Sequence, residues 1–149
     1  MKQFVSLLII AVLIAGSSTL YGDAALPTAT IQCGNSPLVV EIAANEKSRE
    51  KGLMNRDAVP EGTGMLFAYP KKTTCKLWMF NTNVPLSVAF LDDDGKILEI
   101  IHMDKVHSQK IYRSRDKVKY AIEVPLGWLE KKNVQIGQYC TIPEIPSRQ

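Results

Sequence analysis

LSVAFLDDDGKILEIIHM, residues 86–103, consists of two apolar runs that meet at Asp94-Gly95. Asp-Gly between two runs of strand formers is a strong short-range hairpin signal, because the tight turn needs residues that accept positive φ. Working outward, the same period of two recurs. PLVVEIA (37–43) sets Leu38, Val40 and Ile42 on one face, while GMLFAY (64–69) and TCKLWMF (74–80) are rich in strand formers. KYAIEV (119–124) and YCTI (139–142) read as further strands. Two stretches read as short helices. NEKSREKG (45–52) has Asn45 to cap it and Gly52 to end it, and PLGWLEKKN (125–133) starts on a proline suited to a first turn and stops at Asn133. Many short strands with two short helices predict a single-domain, mainly β fold, a β-sandwich or partly closed barrel whose helices act as plugs or edge covers.

The start of the chain reads as an export signal. Met1-Lys2-Gln3 is short and basic, Phe4 to Ala15 is apolar apart from Ser6, Gly16-Ser17-Ser18-Thr19 is small and polar, and Gly22-Asp23-Ala24 offers small residues at the cleavage positions. The apolar run falls short of the roughly 20 residues needed to cross a bilayer. The expectation is therefore a signal peptide over 1–24 with cleavage after Ala24, a single mainly β domain over 25–149, and a periplasmic or secreted protein without a stable membrane span. The net charge of +3 on 149 residues is mildly basic and selects no partner. Cys33, Cys75 and Cys140 allow one disulfide and one free thiol, in a compartment where disulfides persist. Pairing of Cys33 with Cys140 is favoured because terminal strands often lie side by side, with buried unpaired thiols as the alternative.

Four ordered blocks carry a family resemblance: SREKGLMNR (48–56), GTGMLFAYP (62–70), LWMFNTNVPLSVAFLDDDGKILEI (77–100) and YAIEVPLGWLEKKNVQIGQY (120–139). In order and spacing the chain resembles a family of exported, uncharacterised prokaryotic proteins known as domain of unknown function 192. The resemblance implies a compact, mainly β domain similar in topology to a jelly roll, and it brings no reaction, ligand or catalytic set. Phe80 and Ser87 stand where the family pattern usually has a lysine and an aspartate.

LWMFNTNVPLSVAF (77–90) supplies the candidate site. Read as a strand, 77–80 places Leu77 and Met79 on one side and Trp78 and Phe80 on the other, so both faces need cover. Asn81, Asn83 and Pro85 then end the pairing. A ligand-binding group is read around Trp78 as a stacking platform, with Asn81, Thr82 and Asn83 as hydrogen-bonding groups and Arg56 reaching in from GLMNR. Glu123, in an otherwise apolar strand, joins the set as a candidate partner for Arg56. The bland alternative is that Trp78 fills the core, the asparagines cap turns and Arg56 pins a loop.

Other constellations are weaker. Met54, Met65, Met79 and Met103 with His102 and His107 could form a soft Cu(I) site, but none has the close methionine spacing that would favour it over core packing. DDDG (92–95) lacks the alternating ligands of a calcium loop. No zinc spacing, GxSxG or carboxylate pair can be read, so no catalytic residue, metal or cofactor is assigned, and hydrolase action is a minor reading. Residues 105–119 hold Lys105, Lys110, Arg113, Arg115, Lys117 and Lys119 against Asp116 and read as a long basic loop. The resulting expectation is an exported small-molecule or glycan-binding accessory module of the cell envelope. Its partner would be a cell-wall glycan, a small anionic ligand or an envelope protein, and not nucleic acid. The alternative is a structural or protein-interaction module without a pocket.

Overall fold

The Asp94-Gly95 turn joins β4 (Leu86–Leu91) to β5 (Ile97–Met103), which pair antiparallel with Leu86 opposite Met103. Gly95 has φ 82°, and a Cβ there would lie 2.2 Å from the Cys140 carbonyl oxygen, so both the turn and its packing require glycine. The structure, a computed structural model, describes residues 25–146. The signal-peptide reading of 1–24 lies outside the described residues. The remaining elements are β1 (Thr28–Cys33), β2 (Ser36–Ala43), α1 (Glu46–Lys51), β3 (Thr63–Leu77), β6 (Tyr112–Pro125) and α2 (Trp128–Lys131). One six-stranded sheet runs in the order β1-β2-β3-β6-β4-β5, parallel between β2 and β3 and antiparallel elsewhere.

The mainly β, single-domain reading holds, and the sheet is open: its edges, β1 and β5, do not pair with each other. Alternation along the central strands feeds apolar side chains to both faces. Leu66, Ala89, Leu91, Ile122 and Val124 enter one core with Trp128 and Leu129 of α2, while Met65, Phe67, Val88, Phe90 and Ala121 enter the other. A straight 15-residue β3 would span roughly 50 Å. Instead Cys75 and Leu77 from its far end, with Tyr112 and Val118 from β6, join the same core as Met65 and Val88. The β3–β6 ribbon therefore curls over that face. Irregular register between Ala68 and Thr73, and again between Thr74 and Lys76, marks the bends.

Several local expectations change. GMLFAY and TCKLWMF are one strand, and that strand ends at Leu77, so Trp78, Met79 and Phe80 do not belong to it. A turn replaces it, with Asn81 at φ 50° and the Thr82 N–H donating to the Met79 carbonyl. Met79 is buried, but Trp78 and Phe80 are 44% and 37% exposed, which corrects the expectation that both faces are covered. Residues 105–119 are not one long loop, because β6 begins at Tyr112 and pairs Arg113 with Lys76 and Lys117 with Thr74. Tyr112, Ser114 and Val118 point inward and the basic residues outward, an amphipathic strand that the charge count conceals. Pro125 lies in β6, and α2 starts only after Gly127 (φ 80°). YCTI makes isolated bridges, Cys33 to Cys140 and Lys96 to Tyr139, rather than a strand. The disulfide joins Cys33 to Cys140, leaving Cys75 as a buried free thiol. Met65, Met79 and Met103 are fully buried packing partners in the same core.

Candidate functional site

Glu123 sits in β6 between Met65 of β3 and Val88 of β4. Its neighbours in sequence, Ile122 and Val124, point to the opposite core, so the carboxyl is directed to the face over which the ribbon curls. The residue is only 4% exposed and no hydrogen bond or ion pair reaches its carboxyl among the described residues; the fully buried side-chain atom left without a partner there is Trp128 Nε1, so the Glu123 oxygens keep access to the space they face. Burial alone pushes the Glu123 carboxyl up to about 8. Gly64 makes the close packing of β3 against β6 at this point feasible, since a Cβ there would fall 2.3 Å from the Glu123 carbonyl oxygen.

The Glu123 side chain lines a cavity of about 530 Å³. Phe67 and Tyr69 of β3 form one wall, and Leu53 and Met54 close another. Trp78 and Phe80 stand at the rim with ring centroids 5.1 Å apart and planes tilted by 33°. Thr82, 4% exposed, also lines it and contacts the Phe80 carbonyl at 3.2 Å. Leu53 and Met54 belong to the turn after α1, and the helix itself continues that wall. Asn45 and Ser48 close a capping box at the start of α1, and Gly52 ends it at φ 47° against the Phe67 ring. Arg49 anchors this helix by donating from Nη1 to the carbonyls of Ala44 (2.7 Å) and Ala68 (3.1 Å) while lying over the Tyr69 ring at 5.3 Å.

Beside the cavity, the Tyr69 hydroxyl meets the Cys75 thiol at 2.9 Å. Burial raises the Tyr69 pKa far above its ordinary range and pushes the Cys75 thiol up to about 12, and negative charge on Glu123 would raise both further. Three acidic groups thus sit together, all neutral near pH 7. Neutral acids in an apolar setting donate hydrogen bonds, and the Trp78–Phe80 pair offers ring faces for stacking. Reactivity of Cys75 as a thiolate is suppressed by the same burial.

The predicted residues divide into two groups. Trp78, Thr82 and Glu123 share the cavity. Arg56 lies elsewhere and makes a bidentate ion pair with Glu41, Nη2 to Oε2 at 2.7 Å, so the candidate Arg56–Glu123 pair is corrected. That pair holds the Glu41 carboxyl below its usual range, chiefly through the hydrogen bond from Arg56. Asn81 and Asn83 are exposed and knit the turn to the 55–56 segment: Asn55 N–H donates to the Asn81 carbonyl, and Asn83 Nδ2 donates to the Arg56 carbonyl at 3.1 Å. Tyr69, Phe67 and the α1 wall escaped sequence reasoning. Only the capping signature of α1 was visible, and nothing in it pointed to a cavity.

The domain of unknown function 192 (DUF192) family model, described as an uncharacterized ACR, matches residues 29–142. The chain belongs to the DUF192 family. A crystal structure from Sinorhizobium meliloti 1021, assigned only provisionally as a transcription regulator, is similar to this DUF192 chain at 29% identity. It has a TM-score of 0.77 and covers 80% of this chain and 97% of its own. A protein of unknown function from Novosphingobium aromaticivorans DSM 12444 shares the fold at 20% identity, with a TM-score of 0.74 over 78% of this chain and 86% of its own. Among curated proteins, none matches.

The two departures from the family pattern land in different places. Phe80 is on the cavity rim, whereas Ser87 is fully buried away from it. Ser87 Oγ accepts from Gly127 N–H (3.2 Å) and faces His102 Nδ1 (3.1 Å), while His102 Nε2 faces Glu130 Oε1 (3.1 Å). The imidazole thus bridges the two side chains, Nδ1 toward Ser87 Oγ and Nε2 toward the Glu130 carboxylate. The arrangement brings serine, histidine and carboxylate together, but a fully buried Oγ cannot meet a substrate. The network instead pins α2 to β4 and β5.

Proposed function

We propose that this DUF192 chain is an exported small-molecule-binding module of the cell envelope and that the cavity beneath Trp78 and Phe80 is its binding site. The observation that carries this reading is Glu123, a buried carboxyl with no partner among the described residues, lining a cavity of a size typical for small ligands. An orphaned polar group in a core costs stability, and sites that bind ligands are where such a cost is retained. The predominance of Leu53, Phe67, Trp78 and Phe80 in the lining favours a compact, partly apolar molecule over an extended glycan. Export is supported by the leader pattern of 1–24 and by the Cys33–Cys140 disulfide, which suits an oxidising compartment.

The test is a thermal-shift screen of the mature domain with aromatic acids, amides, muropeptides and cell-wall sugars, followed by titration of Trp78→Ala. At least one compound is expected to raise Tm, and Trp78→Ala is expected to bind it at least about tenfold more weakly, as for loss of an aromatic anchor. If nothing in the screen stabilises the protein, or Trp78→Ala binds as the parent does, the cavity is not the site and the interaction-module reading gains.

A further inference from the structure

We propose that the cavity takes a small aromatic anion, its inner end carrying a hydrogen-bond acceptor that meets Glu123 and its charged end directed to the basic part of the lining, where Lys76 is exposed and Arg49 lies over Tyr69. The inference rests on the binding reading above and specifies the chemistry of the ligand. Two features of the cavity set that chemistry. The inner group is a carboxyl buried between Met65 and Val88, flanked by Tyr69 and Cys75 and without a donor to stabilise a negative charge. Such a group stays protonated and offers O–H, so it selects a carbonyl, ether or ring nitrogen. Away from Glu123 the lining carries Arg49 and Lys76 against Glu50, a positive balance that favours an anion and disfavours an amine. The lining also holds the ring of Phe67 and, at the rim, those of Trp78 and Phe80, suited to a flat apolar body.

Three related probes separate these elements: 4-acetylbenzoate, 4-isopropylbenzoate, which lacks the acceptor, and 4-acetylbenzylamine, which reverses the charge. Each is titrated into isotope-labelled protein while the amide signals of Phe67, Trp78, Phe80 and Glu123 are followed. The expected order has 4-acetylbenzoate tightest, with the isopropyl analogue about three- to tenfold weaker, the size of one hydrogen bond. Glu123→Leu should erase that difference, and Glu123→Gln, which keeps a donor, should preserve it. Affinity for 4-acetylbenzoate should hold between pH 5 and 7 and fall above about 8, where Glu123 loses its proton. Tyr69 and Cys75 stay neutral through that range, so the loss belongs to Glu123. Tighter binding of the amine, or an acceptor preference that survives in Glu123→Leu, overturns the inference while leaving the pocket in place. Absence of any shift at the cavity amides with all three probes also overturns it, and the separate screen then decides whether the binding reading falls too.

Discussion

Glu123 is where the local pattern and the core disagree. A carboxylate on a central strand, flanked in register by Met65 and Val88, is a residue that packing alone would replace with an apolar one. Its cost has a definite pH signature. The folded carboxyl is pushed from 4.5 to about 8, so it keeps its proton where the unfolded chain has lost it. Below pH 4.5 both states are protonated and the group is neutral in the balance; as pH rises to about 8, ionisation of the unfolded chain draws the equilibrium away from the fold. At roughly 1.4 kcal/mol per unit, the full loss is on the order of a few kcal/mol. Glu123→Met should therefore be more stable than the parent at pH 8 by on the order of a few kcal/mol in urea unfolding, with the gap narrowing toward pH 4.5. Parallel pH profiles for the two proteins would show that the carboxyl is ionised and partnered in the fold. The anomaly was visible in the sequence as a lone acid in KYAIEV. Its partnerless state was not, since Arg56 and Glu41 lie in segments whose contact depends on tertiary packing.

Among the elements, α1 was the easiest to read and the hardest to interpret. Asn45 and Gly52 announce a short helix by local chemistry alone, and the structure adds a capping box in which Ser48 N–H donates to Asn45 Oδ1 at 2.8 Å. A helix of six residues is too short to stand without such support, so its position as a cavity wall depends on the cap and on Arg49. Asn45→Ala should cost about 1 kcal/mol of stability, and amide exchange at 48–52 should accelerate more than exchange in the central strands. Uniform acceleration across the protein would instead mean that α1 opens only with the whole fold. The strands were legible where alternation was clean, as in β2, or where two apolar runs met at a turn signal, as in β4 and β5. They were misread where a strand bends or carries charge: β3 was split at its irregularity near Pro70, and the first half of β6 was hidden behind its basic outer face. β1 alternates as well, Ala29, Ile31 and Cys33 inward against exposed Thr28, Thr30 and Gln32, but it is short and its inner residues include only one large apolar side chain, so it does not stand out from the flanking loop.

For the whole molecule, the open edges of the sheet raise the question of what keeps them in place. β1 and β5 are the two outer strands, and unpaired edges invite association with other chains. The 137–141 segment spans from one to the other: Thr141 N–H donates to the Gln32 carbonyl of β1, Gly137 N–H donates to the Ile97 carbonyl of β5, Cys140 N–H donates to the Gly95 carbonyl in the turn before it, and the disulfide ties Cys140 to Cys33. A crosslink over 107 residues of sequence restricts the unfolded chain strongly, and removing such a native bond typically costs about 2–5 kcal/mol. The disulfide belongs to the core with Trp128 and Ile122, whereas the cavity lies on the opposite face with Phe67 and Met65. The two faces share the sheet but few side chains, so stability and site should separate. Cys33→Ala with Cys140→Ala is expected to lower the urea midpoint by an amount corresponding to about 2–5 kcal/mol. Amide signals around Trp78 and Glu123 should stay in place, while those of 95–96 and 139–141 move. Displacement of the cavity signals in that variant would mean that the clasp shapes the site through the sheet, making oxidation of Cys33 and Cys140 a condition for binding rather than a support for the fold alone.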